Sequence, residues 1–273
     1  MEVGWVGQVV VALAVALEKP SANAMKRDLC PLRQRHLRFY FSMSKPEPIV
    51  VLFPIYPGVT HLDFTGPHQV LSRLPGAQII VASVQGQQIS ADGLIFSDLA
   101  RLEVIEHCDV LCVPGVGCTD AMQNETFMDA ISRLASKARY ITSVCTGSLI
   151  LGAAGLLKGK RAACHWAWRD FLPLFRAIPD PGRVVRDGNI LTGGGITAGI
   201  DFALTLVHEL AGPTMAQSIQ LSLEYAPAPP FNSGRPEIAP QEILERVQSI
   251  YAKAMPGRRA VMELVSRQRT ESK

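Results

Sequence analysis

From residue 48 onward, apolar and polar positions alternate between two spacings. Ile49-Val-Val-Leu-Phe53 is an unbroken apolar run, the pattern of a parallel strand covered on both faces. Gly66-Pro67 then opens a short helix, because proline suits the first helical position. Pro67, Val70, Leu71 and Leu74 follow at i, i+3, i+4, i+7, and Pro75-Gly76 ends it. Residues 78–84 are predicted as the next strand. Asp109-Val-Leu-Cys-Val113 is another, running into Pro114-Gly115-Val116-Gly117, a loop where backbone must approach something closely. Residues 120–138 read as a helix and 139–144 as a strand leading into Cys145. Ile190-Leu-Thr192 ends in Gly193-Gly194-Gly195, and a long helix from Ala198 to Leu210 is stopped by Gly212-Pro213. This order predicts an α/β doubly wound open sheet with helices on both faces, in which ligands bind beyond the carboxyl ends of the strands. Asp63, Gly115, Cys145 and Gly193 all fall in loops at that edge.

The ends of the chain behave differently, giving an organisation of 1–45 extension, 46–225 α/β domain and 226–273 arm. Within the extension, Val9 to Leu17 is a short apolar run and Ala22-Asn23-Ala24 resembles a cleavage site, as in a secretory signal. The leading segment nevertheless has Glu2 and no Lys or Arg, and the run is too short to span a bilayer. An upstream extension or a start at Met43 is the favoured reading. The arm begins Ala226-Pro-Ala-Pro-Pro-Phe-Asn-Ser-Gly234, an extended proline-rich stretch. It continues with Ile243, Val247, Ile250 and Tyr251 at helical spacing until Pro256-Gly257. Such an arm is expected to pack on a neighbour or on a partner subunit.

With 48% hydrophobic and 19% charged residues, the chain has the composition of a folded globular protein. A net charge of +3 over 273 residues gives no case for nucleic acid, and much of the excess sits in the two ends. The six cysteines (Cys30, Cys108, Cys112, Cys118, Cys145 and Cys164) show no disulfide framework and no zinc spacing. They suggest reduced thiols in a cytoplasmic setting and no metal.

The chemistry concentrates at Tyr140-Ile-Thr-Ser-Val-Cys145-Thr146-Gly147-Ser148. A β-rich run meets a cysteine and then small residues that begin a buried helix, which places Cys145 at a nucleophile elbow. There the helix start is expected to hold the thiol below its free value, making it the most readily alkylated cysteine. A buried structural cysteine is the other reading. Asp63 is either an acidic partner of the thiol or a helix-capping acid ahead of Gly66-Pro67. His165, before Trp166 and Trp168, either lines the site or is packed beside aromatics. The Gly193–Gly195 run, with no lysine or acidic ribose partner, reads as tight turning near the pocket.

These segments resemble the ThiJ/PfpI superfamily of flavodoxin-like cysteine proteins, and within it the isonitrile hydratases. The resemblance covers about residues 49–254. It rests on Leu62-Asp63-Phe64-Thr65-Gly66-Pro67, Val113-Pro114-Gly115, Ser143-Val-Cys145-Thr146-Gly147-Ser148, Cys164-His165-Trp166, the stretch Val184 to Asp201, and Leu223-Glu-Tyr-Ala-Pro-Ala-Pro-Pro-Phe-Asn232. It implies a cofactor-free homodimer that converts a small-molecule isonitrile to an N-substituted formamide, without nucleic acid or membrane. It also implies that Cys145 is the nucleophile, Asp63 its acid partner and Thr146 an adjacent catalytic residue. Gly115, Val116, His165 and Gly194 are then pocket or oxyanion candidates. Relatives usually follow the Pro-Gly pair with a second glycine, whereas Val116 stands here, so pocket geometry is the point of departure. Two rival readings remain open. One is a stress protein of glyoxalase or deglycase type, although those tend to place a glutamate opposite the cysteine. The other is a regulator domain, although the segment after Pro213 holds only one clear amphipathic helix.

Overall fold

The structure is a computed structural model that describes residues 48–253 and 255–271, so the expected extension over residues 1–45 lies outside the described residues. A central sheet is built from β1 (Ile49–Pro54), β2 (Ala77–Ser83), β5 (Ala100–Arg101), β6 (Val110–Val113), β7 (Tyr140–Val144), β10 (Val184–Asp187) and β11 (Ile190–Gly193). Its strand order is β10-β11-β7-β6-β1-β2-β5. Within it only β10 runs antiparallel, paired with β11. Two small ribbons accompany it, β3 (Ile89–Ala91) with β4 (Leu94–Phe96), and β8 (Arg161–Ala162) with β9 (Ile178–Pro179).

The helices are α1 (His61–Leu71), α2 (Cys118–Gln123), α3 (Glu125–Ala135), α4 (Gly147–Ala153), α5 (Ala198–Ser222), α6 (Gln241–Ala252) and α7 (Met255–Glu271). Strands β6 and β7 are buried along their whole length, which explains their unbroken apolar sequence. Phe53, Phe127, Phe171 and Phe202 are among the largest fully buried side chains, each contributing roughly 1.5–3 kcal/mol of transfer free energy. The α/β doubly wound architecture expected from the alternation, and the flavodoxin-like fold that the resemblance implies, are those observed.

The element boundaries differ from the sequence reading for identifiable reasons. Helix α1 begins at His61, so Gly66 and Pro67 lie inside it and Asp63 sits in its first turn. Small surfaces there serve close packing on α5. A Cβ on Gly199 would stand 3.0 Å from Pro67 Cδ, and one on Gly66 would stand 3.4 Å from Ile200. The helix expected over residues 120–138 is broken at Asn124. Its backbone leaves helical geometry, and its side chain caps α3 by accepting a bond from the Phe127 N–H at 2.9 Å. Helix α5 breaks at Gly212 (φ 82°), as expected, but resumes after Pro213. The arm holds two helices rather than one, because α7 buries Met262 and Val265 in the core. No helix among the described residues is long and apolar enough to cross a membrane.

Candidate active site

Strand β7 ends at Val144, and the chain turns at once through Cys145, whose φ of 59° lies in the left-handed region. That conformation costs an L-residue about 1–2 kcal/mol and persists only where its surroundings enforce it. Two contacts enforce it here. The Cys145 N–H donates to the Gly193 carbonyl at 2.9 Å, extending the β7–β11 pairing by one rung. The Ser148 hydroxyl donates to the Cys145 carbonyl at 3.2 Å. Gly147 opens α4 against the end of β6, where any Cβ would overlap the carbonyl oxygens of Val113 and Pro114. Gly115 meets the same limit from the other side, since a Cβ there would overlap the backbone and side chain of Thr146. Glycine is therefore required at both positions by close approach of backbone segments.

Asp63 comes from the first turn of α1 and is fully buried. Its Oδ2 accepts the Gly115 N–H at 2.9 Å, so the side chain ties the loop after β6 to α1 instead of capping its own helix. Oδ1 is buried with no hydrogen-bond partner of suitable geometry. Removal from water pushes this carboxyl up to about 7, against smaller downward effects of the Gly115 N–H and of hydrogen bonding with Cys145. A carboxyl poised near neutrality beside a thiol can give and take a proton.

The thiol itself departs from expectation. Burial, followed by the negative charge of Asp63 and by Cys164, pushes Cys145 well above the usual thiol range. The Thr146 N–H opposes this only in part. Helix α4 is too short, at 7 residues, for its positive end to outweigh that burial. Every other described cysteine is also buried and pushed up, Cys118 to about 11 and Cys108, Cys112 and Cys164 to about 12. The expectation of a thiol held below its free value is therefore corrected in direction: burial and Asp63 hold Cys145 above it.

Around this pair the loop after β6 is fixed by side chains. The Thr146 Oγ1 accepts the Val116 N–H, and the Tyr56 hydroxyl donates to the Pro114 carbonyl at 2.8 Å. With the Gly115 N–H held by Asp63 and the Val116 N–H by Thr146, neither is free to serve an oxyanion. Val116 adopts φ 59°, a left-handed value costly for a β-branched side chain and normally given to glycine. Val116→Gly is expected to raise stability by up to about 1 kcal/mol, read as a higher denaturation midpoint.

A cavity of about 380 Å³ opens beside Thr146 and is bounded by Val116, Cys118, Trp168, Tyr251 and Arg258. His165 also lines it, its ring stacked on Trp166 at 5.7 Å, and burial lowers its pKa. Gly194 instead lines a neighbouring cavity of about 250 Å³, and its N–H donates to the Arg183 carbonyl at 2.9 Å, so it offers no phosphate cradle. Cys145, Asp63, Thr146, Gly115 and Val116 thus come together, His165 stands at the pocket wall, and Gly194 stands apart. Sequence reasoning missed Cys118, Trp168, Tyr251 and Arg258. The helical spacing of Ile250 and Tyr251 was visible, but not the surface they would face. Among the described residues no group of three or more His, Cys, Asp or Glu is gathered to hold a metal ion.

Residues 50–209 match the sequence model of the DJ-1/PfpI family. The isonitrile hydratase of Pseudomonas putida is 50% identical over 213 residues, covering 77% of this chain and 93% of that protein. Protein dj-1beta of Drosophila melanogaster is 28% identical, over 66% of this chain and 97% of its own length. Among solved structures, a THiJ/PfpI family protein from Pseudomonas syringae superposes with a TM-score of 0.76 at 35% identity, covering 90% of this chain and 98% of its own.

Proposed function

The chain belongs to the DJ-1/PfpI family, and from that premise we propose that it is a hydro-lyase that hydrates an isonitrile to an N-substituted formamide, with Cys145 as nucleophile and Asp63 as acid and base. One observation carries this reading: a buried carboxyl held near neutrality beside a cysteine on an enforced turn. The 50% identity to an isonitrile hydratase supplies the substrate class.

The reaction follows from the protonation states present. The isonitrile carbon carries a lone pair, so the Asp63 carboxylic acid protonates it and leaves an electrophilic nitrilium carbon. Cys145 sulfur attacks that carbon, and the thiol proton passes to the Asp63 carboxylate, giving a thioimidate and a re-protonated acid. Water then adds to the C=N bond; Asp63 protonates the nitrogen and receives a proton from the water. Collapse expels the sulfur, which recovers a proton from the new hydroxyl, and releases the formamide. One water is consumed and no net proton. Thr146 positions the assembly, its Oγ1 holding the Val116 N–H and its own N–H facing the sulfur.

The pH dependence follows from Asp63. The acid form starts the reaction, and its folded-state pKa is raised to about 7. Plotted against pH, kcat/KM is expected to be flat below about 7 and to fall about tenfold per pH unit above it. A rise across that range would show that a thiolate form reacts instead. Formamide formation from a panel of isonitriles tests the activity. A protein silent on all of them but active on glyoxals would replace this reading with the stress-enzyme one.

A homodimer in the cytoplasm belongs to the same proposal. It is supported by the exposed Ile95 and Val104 side chains and by the five cysteines among the described residues, all buried and unbridged. Light scattering is expected to give twice the chain mass of 29.7 kDa; a monomer mass would remove the assembly claim.

A further inference from the structure

The pocket beside Thr146 is closed on its outer side by parts of the chain that lie beyond the segment matching the family model, which ends at residue 209. Ile250 and Tyr251 come from the last turn of α6, and Arg258 comes from the first turns of α7. The Tyr251 ring stands edge-on to His165 at 5.8 Å, to Trp166 at 5.8 Å and to Trp168 at 6.3 Å. The Arg258 guanidinium lies over the Trp168 ring at 4.2 Å, which directs its charge onto an aromatic face. The arm is anchored rather than draped. Met262 and Val265 are buried, and Arg259 lies over the Phe171 ring at 4.9 Å.

Resting on the hydratase reading above, we propose that Ile250 and Tyr251 of the C-terminal arm determine specificity, forming with Trp168 the wall that receives the nitrogen substituent of the isonitrile. The geometry of the functional group carries the argument. The R–N–C axis of an isonitrile is linear, so with its carbon lone pair directed at the Asp63 proton and the Cys145 sulfur attacking from the side, the substituent must continue away from Asp63. The cavity that borders Thr146, the residue next to Cys145, is this one, and its lining includes the aromatic Trp168 and Tyr251 and the aliphatic Ile250. A ring-bearing or branched apolar substituent fills it, whereas a methyl group ends short of Tyr251. Such a wall discriminates through buried apolar area, and a few methylene-sized contacts are worth roughly 10–200-fold in kcat/KM.

The experiment compares benzyl and methyl isocyanide as the ratio of their kcat/KM values. Tyr251→Ala is expected to lower the benzyl-to-methyl ratio about tenfold, chiefly through the KM for the benzyl substrate, and Tyr251→Phe to hold it within about twofold. Ile250→Trp, at a position 61% exposed where a larger side chain is tolerated, should also lower the ratio by obstructing the cavity. An unchanged ratio in both Tyr251→Ala and Ile250→Trp, or an equal fall for both substrates, would overturn the proposal. A second arm is independent of turnover. In Cys145→Ala protein, quenching of tryptophan fluorescence should show tighter binding of N-benzylformamide than of N-methylformamide, and adding Tyr251→Ala should erase that preference. If the wild-type protein hydrates no isonitrile yet this preference depends on Tyr251, the hydratase reading fails and the wall stands. If hydration proceeds but the preference survives Tyr251→Ala, the wall fails and the hydratase reading stands.

Discussion

Cys145→Ala is expected to lose isonitrile turnover by a factor on the order of 10⁴ or more while keeping the fold. Cys145 is the thiol hydrogen-bonded with Asp63, and removing a nucleophile from a concerted assembly costs nearly the whole chemical advantage. Structurally the change is mild. The left-handed turn is enforced by the Gly193 and Ser148 hydrogen bonds, which involve only backbone atoms of residue 145. Loss of one buried sulfur atom should cost about 1 kcal/mol. Combining it with Asp63→Asn should lower turnover no further, since neither group acts without the other. Chromatographic measurement of formamide at high enzyme concentration decides the matter. Residual hydration within tenfold of wild type would remove Cys145 from the mechanism.

Asp63→Asn is expected to lose turnover by roughly 10²–10⁴-fold, the usual worth of positioned proton transfer, and at the same time to change how stability depends on pH. The amide oxygen can still accept the Gly115 N–H, but the group cannot donate and regain a proton. The sign of the stability effect follows from the raised carboxyl pKa. Between the unfolded value of 3.8 and the folded value of about 7 the native state holds more protons than the unfolded chain, so wild-type stability declines as pH rises through that window. The decline is on the order of 4 kcal/mol and is complete above about pH 7. Asp63→Asn lacks this term, so it should be less stable than wild type at pH 4, through the unpaired amide, and more stable at pH 8. Urea midpoints at the two pH values measure this crossover. Parallel pH curves for the two proteins would mean that Asp63 is ionised in the fold at neutral pH.

Most of the sheet was legible because β1, β6 and β7 are buried on both faces and leave unbroken apolar runs. The loops at their carboxyl ends were legible for the same reason, and Asp63, Gly115, Cys145 and Thr146 do converge there. Two kinds of information were not local. The protonation state of Cys145 depends on total burial and on a carboxyl 82 residues earlier in sequence, so the helix-start argument gave the wrong direction. The pocket's outer wall depends on where the arm folds back, and spacing in α6 shows that a face is apolar without showing what it meets. Asn124 is a different case. Its capping position before Glu125-Thr-Phe was readable as a helix start, but the apolar spacing across it suggested one continuous helix.

The interlock of Gly115 and Gly147 has a consequence for how this scaffold can diversify. The sulfur is held where two strand ends and a helix start share a space with no room for one added methyl group, so any side chain introduced at Gly115 or Gly147 would be disruptive. The arm residues that shape the pocket, by contrast, sit on partly exposed helices where side chains of several sizes fit. Part of the selectivity is thus written in a different stretch of the chain from the reactivity. New substrate preferences can accumulate after residue 240 while the chemistry at Asp63 and at residues 113–148 is passed on unaltered.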